Sequence, residues 1–114
     1  MNMTKNEFIE ILKQLDIPLN EGESSFNNST KYPRIVFWDY IWEDQLASGE
    51  NYITVETYQV SFFAKIPRHE KLLELRDLLR ANGLHPTIRH EYVEDKQKDL
   101  KYYHSFFSVE LINE

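Results

Sequence analysis

No cysteine occurs among the 114 residues, so neither a disulfide nor a thiolate metal site holds this chain together. That absence suits a reducing compartment. Glycine is scarce, and Gly22, Gly49 and Gly83 lie too far apart to form the glycine-rich cradle of a phosphate-binding loop. No apolar run nears the roughly 18 residues of a membrane span. The opening stretch, MNMTKNEFIEILKQLDI, lacks the basic start and long apolar centre of a secretion signal, so a soluble, unexported protein is expected. Positive charge is short too: 13 Lys and Arg face 19 Asp and Glu, for a formal net charge of −6. Nucleic-acid binders display a basic face that neutralises phosphates. Here the closest basic cluster, Lys96, Lys98 and Lys101, alternates with Asp95 and Asp99. Sequence-specific nucleic-acid binding is not expected, nor is a membrane partner; transient passage of DNA stays open.

Catalytic and metal patterns are missing as well. His85 and His90 stand five apart, whereas helical zinc pairs use a spacing of four within patterns such as H-E-x-x-H. His69-Glu70 opens a helix and reads as its surface. The acidic pairs Glu43-Asp44 and Glu94-Asp95 fall in polar segments, where carboxylates are solvated and poor at acid–base work. Trp38, Tyr40, Tyr58 and Phe62 resemble the base-stacking aromatics of RNA-binding sheets, but the accompanying basic residues and RNP motifs are absent. The expectation is a protein that is not an enzyme, with no metal and no cofactor.

What is present is apolar bulk. Hydrophobic residues make up 41% of the chain and aromatics 14%, enough for the core of one domain spanning residues 1–114. Thr4 to Leu15 reads as a helix: Thr4 and Glu7 fit a capping box, and Phe8, Ile11, Leu12 and Leu15 form one face. Asn20 to Lys31 is polar and reads as a long loop, with Phe26 as its one large apolar residue. Arg34 to Trp42 reads as a strand with Val36, Trp38, Tyr40 and Trp42 on one face and Ile35, Phe37, Asp39 and Ile41 on the other. Glu43 to Asn51 reads as a displayed loop. Tyr52 to Lys65 is a second strand run whose apolar parity switches near Thr57 and Tyr58, which predicts a bulge or a split there.

Pro67 to Asn82 reads as the second helix, with Pro67 at its first position and Asn82-Gly83 at its end. Pro86 to Tyr92 and Lys101 to Ile112 read as a closing hairpin, with Tyr103, Phe107, Val109 and Leu111 on the core face. The order α-β-β-α-β-β predicts an α+β domain, with two helices on one face of a mainly antiparallel sheet. Both faces of Arg34 to Trp42 are apolar, more than one small core can cover. Trp38, Tyr40, Trp42, Tyr58 and Phe62 are therefore candidates for a subunit interface.

Three stretches carry a resemblance: Tyr32-Pro33-Arg34-Ile35-Val36-Phe37, Ala47-Ser48-Gly49-Glu50, and Tyr58-Gln59-Val60-Ser61-Phe62-Phe63-Ala64-Lys65. Together they are similar to the tail completion, or tail terminator, proteins of tailed phages and prophages of low-GC Gram-positive bacteria. Ala64 departs from the small polar residue of that pattern. The order of helices and strands extends the likeness over nearly the whole chain. The resemblance implies a virion structural protein forming a ring, a hexamer, at the head-proximal end of the tail and joining it to the head. The implied partners are copies of itself, the major tail protein and head connector proteins. The implied locations are the host cytoplasm during assembly and then the virion tail. It further implies that the 43–51 segment, through Glu43, Asp44, Gln45, Ser48 and Glu50, lines the channel or meets the connector. A reading of another class is a small non-catalytic protein-binding module of a prophage or host that grips a partner with the same aromatic sheet.

Overall fold

Thr4 begins the first helix as its sequence predicts. Its side chain accepts from the Glu7 backbone N–H at 3.2 Å, and the Glu7 carboxylate accepts from the Thr4 N–H at 3.1 Å. These bonds satisfy donors that the helix itself leaves free. The computed structural model describes residues 3–22, 31–49 and 51–112. Within it α1 (Lys5–Lys13) buries Phe8, Ile11 and Leu12, and Leu15 follows them into the core. Asp16, at φ 54°, turns the chain into a short strand, β1 (Leu19–Glu21). The expected 20–31 loop thus starts two residues late, since Asn20 and Glu21 pair with Val36 and Phe37. Residues 23–30, Phe26 among them, lie outside the described residues.

Two long strands follow, β2 (Arg34–Ser48) and β3 (Asn51–Ala64). They pair antiparallel from Arg34–Phe63 out to Ser48–Asn51, so the expected loop over Glu43 to Asn51 is mostly strand. β3 is unbroken. The irregularity sits across from the predicted place, on β2, where the register shifts between Asp39 and Ile41 opposite Tyr58 and Thr57. Tyr40 is the extra residue.

The second helix, α2 (Glu70–Ala81), starts later than Pro67. Pro67 and Arg68 form a turn, Arg68 at φ 52°, and His69 is the N-cap, its Nδ1 accepting from the Lys71 N–H at 3.0 Å. The helix ends as predicted. Gly83, at φ 78°, donates to the Arg80 carbonyl and Leu84 to the Leu79 carbonyl, the paired bonds of a Schellman cap. β4 (Arg89–Asp95) and β5 (Leu100–Ile112) form the closing hairpin. The sheet order is β1-β2-β3-β5-β4, parallel only between β1 and β2. The fold is α+β, with order α-β-β-β-α-β-β.

One face of the sheet carries both helices. Ile35, Phe37, Tyr58, Val60, Phe62, Phe107, Val109 and Leu111 pack there against Phe8, Leu12, Leu15, Leu72, Leu75 and Leu79. The other face has no helix among the described residues. β5 ends opposite Val55, so β2 and β3 run on beyond it as a two-stranded ribbon. A 15-residue strand spans roughly 50 Å at about 3.3 Å per residue. The described residues extend 56 × 28 × 23 Å with a radius of gyration of 15.6 Å. A compact chain of this length has about 13 Å. The ribbon accounts for the excess.

Candidate assembly surface

The ribbon, from Ile41 to Ile53, is built like a strand pair and placed like an antenna. Gly49, at φ 59°, supplies the backbone that its tight turn requires. Thr54 donates to Asp44 at 3.0 Å, and Gln45 donates to Glu43 at 2.9 Å. Past Val55 neither a helix nor a third strand covers it among the described residues. Trp42 is 74% exposed, Tyr52 66% and Leu46 60%, with Ile41 and Ile53 also exposed. Isolated two-stranded ribbons are marginal in water, and a projecting apolar one invites a partner.

The extra residue at Tyr40 decides what each face of this arm presents. Without it, Trp38 and Trp42 would share a face, as strict alternation predicts. With it, Trp38 pairs with Gln59 on the helix-free face while Trp42 pairs with Glu56 on the helix side. The Trp42 indole N–H donates to Asp39 on that side. Tyr40 lies across the helix-free face, its hydroxyl 2.9 Å from that of Ser108. Beyond the bulge Trp42, Asp44, Leu46 and Tyr52 share one face. Glu43 pairs with Val55 on the opposite one, so the acidic pair is split between faces rather than clustered.

Of the five aromatic interface candidates, Trp38 is partly exposed and Tyr40 and Trp42 are exposed. Tyr58 and Phe62, each 1% exposed, belong to the subunit's own core and are corrected accordingly. Their side chains point under the helices, because the apolar parity of β3 is its inward face. Tyr58 donates to Glu56 at 2.9 Å, and burial followed by that carboxylate pushes its phenol well above the ordinary range. Of the five loop candidates, Glu43, Asp44 and Gln45 are exposed strand residues. Ser48 closes the strand, and Glu50 lies outside the described residues.

The helix-free face holds a constellation that sequence reasoning missed. His104 stacks between Phe63 and Phe106, with ring centroids 4.8 Å away on each side. Its Nε2 is 2.8 Å from the Ser61 hydroxyl and its Nδ1 is 2.8 Å from the Glu91 carboxylate. Glu91, His104 and Ser61 lie on three adjacent strands, so no local spacing reveals them. The order serine–histidine–carboxylate matches that of acyl-transfer enzymes. However, Ser61 is 0% exposed, and its central strand pairs with both β2 and β5. Acyl transfer needs an approach to the hydroxyl and free oxyanion donors beside it. The buried Ser61 hydroxyl offers no such approach among the described residues, and it also accepts from the Gln59 side-chain amide at 3.3 Å, so the row ties β3, β5 and β4 together. Arg34 continues it, stacked 4.6 Å over Phe63 and 4.7 Å over Tyr32.

A second feature faces the helix side. Phe62, Ala64, Ile66, Pro67, Leu72 and Tyr103 line an apolar pocket of about 160 Å³, completed by Arg68, His90 and Ser105. It opens where α2 stops short of covering β4. Among the described residues no three His, Cys, Asp or Glu side chains gather as a metal site would require. Nor is any helix among them long and apolar enough to cross a membrane. No protein-family model matches the chain, and no curated protein matches it.

Proposed function

We propose that this protein is a non-catalytic assembly subunit of a phage or prophage tail, forming a ring at the head-proximal end and joining the tail to the head connector. The observation that carries the assembly reading is the ribbon: an arm reaching past the body with Trp42, Leu46 and Tyr52 bare on one face. A monomer gains nothing from that exposure, whereas an interface draws its affinity from such aromatics once water is excluded. The tail assignment is supported by the Tyr32–Phe37, Ala47–Glu50 and Tyr58–Lys65 motifs; of these, Arg34–Phe37 and Tyr58–Ala64 pair at the body end of one long hairpin and Ala47–Gly49 stand near its tip. Copies of the chain, the major tail protein and head connector proteins are its partners, and DNA passes through the ring unread. Gold-labelled antibody against the chain should decorate purified virions at the head–tail junction. Label elsewhere on the particle, or particles free of the protein, would contradict the assignment.

A further inference from the structure

We infer that the Trp42 side chain of one copy seats in the apolar pocket beneath Ile66 and Tyr103 of the next copy, joining subunits head to tail. This contact presupposes the self-assembly proposed above and names where it happens. Eight large hydrophobic side chains are exposed among the described residues. Six of them, Tyr40, Ile41, Trp42, Leu46, Tyr52 and Ile53, sit on the arm or at its base. The other two are at the pocket: Ile66 lines it, and Tyr92 packs 4.9 Å from the ring of Tyr103, which lines it. The rest of the described surface offers no comparable bare apolar side chain, so the arm and the pocket are each other's best match.

Size and charge agree. A cavity of roughly 150 Å³ holds one benzene-sized ring, and this one measures about 160 Å³ and is open at its mouth. It therefore admits the leading ring of an indole. Asp39 and Asp44 flank Trp42 on its own face, with Glu43 beside it. The pocket carries Arg68 and His90 and no carboxylate. An acidic-collared aromatic thus meets a basic-rimmed apolar hole. Knob and hole are different patches of the chain, so after the first contact one copy still has its hole free and the other its knob. Such a heterologous contact propagates and closes into a ring when its rotation permits.

The test uses the full-length chain at its highest attainable concentration. A photoreactive aromatic placed as Trp42→p-benzoylphenylalanine should cross-link to a second copy within the segments Ile66–Leu72 and His90–Ser105, read by mass spectrometry. Separately, Trp42→Ala and Ile66→Glu should each weaken self-association at least about 30-fold, the loss of one interface hot spot. Mixing those two variants should restore one contact and yield a 1:1 dimer that grows no further. Each variant lies on the surface, and an unchanged circular dichroism spectrum shows that it folds. Cross-links between copies at other segments would overturn the contact while leaving self-assembly standing. Cross-links confined within one copy, or a chain that stays monomeric throughout, would overturn both.

Discussion

Tyr40 is one residue more than β3 can match, and that surplus turns Trp42 from the helix-free face to the helix side. A bulge re-aims a strand without breaking it, and here it leaves the core half of the hairpin regular while rotating the arm. Tyr58, opposite the bulge, does the reverse work of anchoring. Burial, and then the carboxylate of Glu56 that accepts its hydrogen bond, hold the phenol proton to far higher pH than in the unfolded chain. An unfolded tyrosine loses its proton near pH 10. Above that pH the unfolded state alone gains, so stability falls by up to about 1.4 kcal/mol per pH unit. Tyr58→Phe should cost about 1.5–3 kcal/mol at pH 8, because it strips a buried carboxylate of its donor. The same variant escapes this part of the alkaline loss. Denaturant unfolding at pH 8 and pH 11 should show the gap between the two proteins narrowing by about 1 kcal/mol. A constant gap would mean that Tyr58 ionises freely in the folded protein.

At the scale of elements, the arm should be dispensable for folding. Replacing residues 45–53 by Asn-Gly keeps the Asp44–Thr54 pair and offers a turn that suits a two-residue hairpin. Combined with Trp42→Ala, this should shift the unfolding free energy by less than about 1 kcal/mol, since the described side chains it removes are exposed. A larger loss by calorimetry would make the arm part of the core. The arm is also where the sequence is hardest to read. Elements with a buried face announce themselves: the capping box of α1, the Asn82-Gly83 stop of α2 and the alternation of β5 all follow from one side meeting the core. Glu43 to Leu46 has water on both faces, so no burial imprints a period of two, and its charges mimic a loop. β1 is too short for any period, and Pro67 suits the turn before α2 as well as a first helical position. The parity switch at Thr57 and Tyr58 is visible in β3, but the extra residue that lies opposite it belongs to β2. Single-strand patterns do not say which partner yields. The Ser61–His104–Glu91 row is illegible for a related reason, being assembled by register across three strands.

The whole molecule is a covered body with a bare arm, acidic on balance, and its length exceeds what its core requires. In a ring, such a shape lets each subunit reach its neighbour without unfolding anything. The central claim proposed here, that this chain closes a phage or prophage tail through its arm, meets its most direct test in the particles that the proposal assigns it to. Its gene would be exchanged for the arm-shortened version carrying Trp42→Ala, with circular dichroism of the purified variant confirming the fold. Particles would then be counted by electron microscopy and plaque assay. The account predicts filled heads and separate tails, with infectious particles lost. Intact virions at the normal yield from the arm-shortened gene would contradict it.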